Sequence, residues 1–180
     1  SLTSRLLPDA PASFLERLGR IQYQGTICML LGLKRSLTPI YWLNIGDEDV
    51  PFGIMLEHNN LYNNPAYGHR LVYLANYIQG ADEKMWSMSD QEIFELYRTG
   101  LKKVFGLKDD EIAWWKLSRT LYSAPLYRVG FLRDKLPLAT EVPGLYTAGM
   151  FNSYPERSIN DSLRLGFETA NLILKGDGSA

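Results

Sequence analysis

Val142 to Leu174 reads VPGLYTAGMFNSYPERSINDSLRLGFETANLIL, and the rest of the chain is organised around it. Pro143 and Gly144 make a turn, Leu145 to Ala148 predict a short strand, and Gly149 ends it. After a loop carrying Tyr154, Pro155, Glu156 and Arg157, Ser158 is a good N-cap. Its hydroxyl can accept from a free N–H of the first turn, and Asp161 suits the positive end of the helix dipole. Ile159, Leu163, Gly166, Ala170 and Ile173 recur at helical spacing, and the small Gly166 and Ala170 would let another backbone approach closely. Gly176 supplies a stop. A glycine-ended strand facing a capped helix N-terminus gathers unpaired N–H groups around one small volume, which suits a group bearing negative charge. The same arrangement also serves as a purely structural connection.

The 180 residues suffice for one good core, or for a single lobe of something larger. A net charge of −1 without any basic run argues against nucleic acid as the main partner. At 46% hydrophobic residues the composition excludes disorder. The longest apolar runs, such as Thr26 to Leu33, are too short to span a bilayer, and no signal peptide opens the chain. The single cysteine, Cys28, cannot form an internal disulfide, so a reducing, cytoplasmic compartment is expected, with Cys28 as packing in an apolar strand. The first residue is Ser1 and Leu2 to Ala10 reads as a connector, so the chain is expected to be a piece of a longer protein.

Pro11 followed by Phe14, Leu15 and Leu18 predicts a short amphipathic helix ending at Gly19. From Ile21 to Leu33 apolar residues hold the odd positions and Gln22, Gln24, Thr26 and Cys28 alternate with them, which predicts a long strand with one core face. The other face is solvent or the lining of a cavity. Tyr41 to Ile45 and Phe52 to His58 read as two strands joined by the acidic turn Gly46 to Asp49. The loop His58 to His69 is rich in asparagine, and loops of that length are often functional. Arg70 to Ile78 gives a fourth strand.

Ser89 and Glu92 form a capping box ahead of Ile93, Phe94, Tyr97, Leu101, Val104 and Phe105, with Gly106 as the end signal. Ile112 to Tyr122, with Trp114, Trp115 and Tyr122, predicts a strand returning to the sheet, its aromatic run being of the kind that usually joins the core. From Ser123 to Pro143, prolines and glycines preclude a long element. The fold class is α+β, a mostly antiparallel sheet with flanking helices. The divisions are a sheet-bearing substrate-binding-like lobe over 1–141, the strand–loop–helix over 142–176, and a flexible tail over 177–180.

Gly144, Leu145, Tyr146, Ala148 and Gly149, followed by Ser158, Ile159 and Asn160, resemble the C-terminal flavin-binding signature of the FAD-dependent amine oxidase and protoporphyrinogen oxidase-like superfamily. The resemblance implies that Gly149 and Met150 border the ribityl chain and that Ser158, Ile159 and Asn160 face the N1–C2 edge of the isoalloxazine through backbone N–H groups. Reduced flavin carries its negative charge at that edge, where a helix dipole favours electron acceptance. Many members carry an acidic residue where this chain has Met150, so contact there runs through the backbone. Tyr127, Tyr154 and Arg157, on loops entering this region, are the candidates for the substrate side, against ordinary packing for the tyrosines and an ion pair with Glu156 or Asp161 for Arg157.

The G-x-G-x-x-G turn that would hold the FAD pyrophosphate is missing, as is the acidic residue that follows it. The only G-x-G, Gly176 to Gly178, lies in the tail. The resemblance therefore implies that the last segment completes a Rossmann-type lobe lying outside this chain, and that the chain alone holds FAD weakly and is inactive. The implied partners are a small-molecule substrate, the N-terminal FAD-binding segment and, alternatively, a second copy covering the last helix. No serine or cysteine stands in a nucleophile pattern, and His58, His69 and Cys28 are too scattered for a metal site. Glu57 and His58 are adjacent in a predicted strand, where they would point to opposite faces, so they cannot both face one ligand unless a bulge intervenes. The reading is the C-terminal part of a flavin-dependent oxidoreductase that moves hydride from substrate to flavin. A mutase resembling UDP-galactopyranose mutase and a non-catalytic small-molecule or protein binding module are the alternatives.

Overall fold

The computed structural model describes residues 5–155 and 157–176. It is an α+β structure in two compact units, one of residues 24–123 and one built from residues 1–23 and 124–180. The tail 177–180 and Glu156 lie outside the described residues.

The sheet has the order β2-β3-β4-β1-β5. Its strands are β1 (Tyr23–Leu33), β2 (Trp42–Asn44), β3 (Ile54–Glu57), β4 (Arg70–Ile78) and β5 (Ile112–Pro125). The ladders β1–β4, β3–β4 and β2–β3 are antiparallel. Alternation decides which face is buried. Ile27, Met29, Leu31 and Leu33 of β1 join Val72 and Leu74 of β4 and Met55 of β3 in one core. The opposite face holds Cys28, Leu30 and Tyr73 half-buried, with Trp42 and Tyr77 more exposed. Burial pushes the Cys28 thiol up from its usual range.

Two α-helices belong to this unit, α2 (Lys84–Ser87) and α3 (Asp90–Phe105). Helix α3 starts where its capping box lies: Ser89 Oγ accepts from Glu92 N, and Glu92 Oε2 accepts from Ser89 N at 2.7 Å. It ends at Gly106, whose φ of 59° is the left-handed conformation that favours glycine. Ile93, Tyr97 and Leu101, one turn apart, carry α3 into the sheet core. Gly100 sits against the Pro51–Phe52 loop, where a Cβ would come within 2.7 Å of the proline ring.

The strand predicted over Phe52 to His58 is shorter at both ends. Gly53 N donates to the Asn76 side chain at 2.7 Å, and the chain turns into a 3-10 helix at His58–Asn60. The acidic turn is a cation clamp, in which Asp47 and Asp49 both bind Lys103.

Glu57 is fully buried and structural. Its Oε2 accepts from Leu37 N and Thr38 N at 3.0 and 3.1 Å, and its Oε1 accepts from Arg70 Nε at 3.0 Å. Asn60 extends this network to the carbonyls of Thr38 and Ile40, so the asparagine-rich loop is held by its own amides.

In the second unit, α1 (Ala12–Arg20) buries Phe14 and Leu18 against Leu136, with Val142, Leu145 and Phe151 around them. A short helix α4 (Phe131–Asp134) interrupts the stretch expected to lack long elements, and α5 (Ile159–Leu174) closes the described chain. The strand expected at Leu145 to Ala148 is not formed. Only an isolated bridge pairs Tyr146 with Ala139, extended by Thr147 N donating to the Leu138 carbonyl at 2.8 Å. A strand needs a neighbour along its whole length, and among the described residues only 138–140 pair with this stretch. No helix among the described residues is long and apolar enough to cross a membrane.

Candidate functional site

Gly149 is in extended backbone and leads into a 3-10 turn at Met150–Asn152. The absence of a side chain at Gly149 has a local cause, since a Cβ there would come within 2.9 Å of the Phe151 ring. That turn packs against α5. Asn152 anchors it from beneath, donating through Nδ2 to the Leu136 carbonyl at 2.9 Å and to Thr147 Oγ1 at 3.3 Å. Nothing in the sequence pattern singled out this buried asparagine.

Helix α5 starts at the expected cap: Ser158 Oγ accepts from Asp161 N at 3.1 Å. Ile159 and Asn160 stand exposed on the first turn, where helix geometry leaves N–H groups without intrahelical acceptors. Asp161 carries the one acidic side chain there, and its hydrogen bonds from Arg164 and then Ser158 hold its carboxyl below the usual range. With Arg164 offsetting that charge, the helix end keeps free donors and a positive partial charge. This donor set fits a flavin carbonyl edge.

The structure brings Tyr127, Tyr154 and Arg157 into one cluster. The Tyr127 and Tyr154 rings lie 5.5 Å apart, and Arg157 sits over the Tyr127 ring at 5.1 Å. The Tyr127 hydroxyl meets Ser153 Oγ at 2.9 Å and donates to the Met150 carbonyl at 3.4 Å, tying the cluster to the turn after Gly149. Phe131 completes it at 4.4 Å from Tyr127. Phe131 and Ser153 were not among the expected residues, because both lie in irregular segments where periodicity says nothing. Arg157 donates to the Pro125 carbonyl at 3.0 Å, while Asp161 pairs with Arg164. The ion pair with Glu156 lies outside the described residues.

Residues 2–174 match the sequence model of the family described as flavin containing amine oxidoreductase. The chain belongs to that family. No curated protein sequence matches it. Among solved structures, it is similar to a protein from Exiguobacterium sp. 255-15 provisionally named protoporphyrinogen oxidase. That match has 18% identity and a TM-score of 0.73, and covers 97% of this chain and 39% of that one. It is also similar to reduced UDP-galactopyranose mutase, with 19% identity, a TM-score of 0.66, and 89% and 35% of the two chains covered. An oxidoreductase from Methanosarcina mazei matches at 15% identity and a TM-score of 0.61, over 92% and 37%. At these identities the likeness is one of fold. The chain thus spans 35–39% of the length of these structures.

Proposed function

We propose that this chain is the C-terminal part of an FAD-dependent oxidoreductase acting on a small molecule, and that residues 142–176 are its flavin-contacting segment. In this reading the turn at Gly149 and Met150 borders the ribityl chain, and the backbone N–H groups at Ser158, Ile159 and Asn160 meet the pyrimidine edge. Tyr127, Tyr154 and Arg157 wall the substrate side. The chemistry supplied by bound FAD is two-electron oxidation, with hydride moving from substrate to flavin. This chain's own residues contribute donors at a helix end, aromatic surface that excludes water, and one oriented guanidinium.

The observation that carries the reading is the outer face of α5. Leu165 is buried on its inner side, whereas Ile159 is 81% exposed and Phe167 72% exposed, in one stripe with Leu163 and Ala170. An apolar stripe of that kind marks a surface that another segment covers, and a self-sufficient binding module has no use for it. A Rossmann-type lobe supplied by further sequence is the cover we propose.

The test is FAD affinity, by flavin fluorescence quenching, for this chain and for a version extended upstream through any G-x-G-x-x-G segment. Tight binding by the extended protein alone, weakened by Gly149→Val, is the expected result. An extended protein that ignores FAD overturns the reading in favour of the binding module. Turnover of candidate substrates by the extended protein separates an oxidase from a mutase-like enzyme, which shows no net oxidation.

A further inference from the structure

Far along the chain from the proposed flavin segment, the end of β1, the start of β4 and the loop between β3 and β4 border an open cleft of about 260 Å³. Its lining includes Lys34, Asn63, Asn64, Gly68, His69 and Arg70, and no carboxylate. That volume is just under the roughly 300 Å³ at which drug-sized ligand pockets begin, so its occupant is small.

The hydrogen bonds around the cavity consume acceptors and leave donors. Leu71 N donates to Asn59 Oδ1 at 2.7 Å, which turns Asn59 Nδ2 toward Asn63 Oδ1 at 3.2 Å. Asn64 Oδ1 accepts from Ala66 N at 3.0 Å. Both amide oxygens are therefore spent inside the loop, and the amide orientations follow from backbone N–H groups. The nitrogens Asn63 Nδ2, Asn64 Nδ2, Lys34 Nζ and Arg70 Nη1 have no acceptor among the described residues. Arg70 is balanced by Glu57, whereas Lys34 has no acidic partner among the described residues. His69 is set edge-on to Trp114, ring centroids 6.4 Å apart. An open cleft whose leftover donors include the exposed Lys34 and Asn63 side chains favours an acceptor-only, anionic group.

We infer that this cavity binds a small oxyanion, a carboxylate or a phosphate group. The test is calorimetric titration of the full chain with inorganic phosphate and, separately, with malonate, against sodium chloride at equal ionic strength. Saturable one-to-one binding of either anion is expected, and the anion that binds identifies the class. Lys34→Gln should weaken it about tenfold, the scale of a charge-assisted hydrogen bond. Asn63→Asp keeps the acceptor for Asn59 and replaces the donor with negative charge, so it should abolish binding. Lys116→Gln, an exposed lysine outside the lining, should leave it unchanged. Failure of both anions to saturate the chain overturns the inference. So does wild-type affinity in both Lys34→Gln and Asn63→Asp once their thermal melts show folded protein.

Discussion

The guanidinium of Arg157 lies 5.1 Å from the centre of the Tyr127 ring, held there by its hydrogen bond to the Pro125 carbonyl. The flat cation thus covers an aromatic face and ties residue 157 back to the end of β5. Arg157→Met keeps the stem and loses both interactions, and should cost about 1 kcal/mol, the scale of an exposed cation–π contact plus a neutral hydrogen bond. Urea unfolding measures that loss, and a near-ultraviolet circular dichroism change should report the altered Tyr127. An unchanged midpoint would mean the guanidinium merely rests on the ring.

Glu57 gives a sharper prediction. Its carboxylate is sealed from solvent and meets Arg70 and two backbone N–H groups. Glu57→Leu strands all of these donors, and removing one partner of a buried pair costs about 3 kcal/mol or more. Arg70→Leu alone should also be costly, and the double variant should recover part of the loss. Additive single losses in denaturant unfolding would show that the two do not act as a pair.

Close packing makes Gly32 irreplaceable. A Cβ there would lie 2.3 Å from the Trp114 indole. Gly32→Ala should lower stability by about 1–3 kcal/mol through overpacking, seen as a reduced melting temperature, whereas Gly46→Ala, in open space, should not. Trp114→Leu combined with Gly32→Ala should relieve the crowding, and no relief would count against this cause.

Acid should destabilise the fold in a defined direction. Asp109 is held below its ordinary range by Lys102 and Arg98, and Glu111 by Arg35 and the Lys108 N–H. Asp47 is lowered by the Asp49 N–H and Lys103, and Asp161 by Arg164 and Ser158. A depressed folded value means that each carboxylate favours the folded state above its unfolded value of about 4, and that this contribution disappears as pH falls through the folded value. Urea midpoints should therefore fall below pH about 4, less so at high salt. Arg35→Gln should reduce the drop, and a flat profile would contradict the assignment.

Local signals made part of this fold legible. Ser89, Glu92 and Gly106 bracket α3 to the residue, and β4 runs from Arg70 to Ile78 as the alternation indicates. What stayed hidden depends on distant partners. Glu57 meets backbone at Leu37 and Thr38, a link that no spacing within β3 reveals. The run Leu145 to Ala148 has strand composition, but a strand is a property of its ladder, and the ladder stops at Ala139 and Tyr146. Around the candidate site the capped start of α5 was readable from Ser158 and Asp161. Phe131, Ser153 and the buried Asn152 were not, because they act through contacts made by irregular backbone.

The unit carrying the candidate site is assembled from two stretches separated by the hundred residues of the sheet unit, 24–123. Leu126 N donates to the Gln22 carbonyl at 2.8 Å, joining them next to the neighbouring strands β1 and β5. Folding order follows from this. Left open, a loop of that size must be closed against chain entropy, whereas a formed sheet already holds its two exits together. Pulsed hydrogen exchange should therefore find β1 and β4 protected before α5.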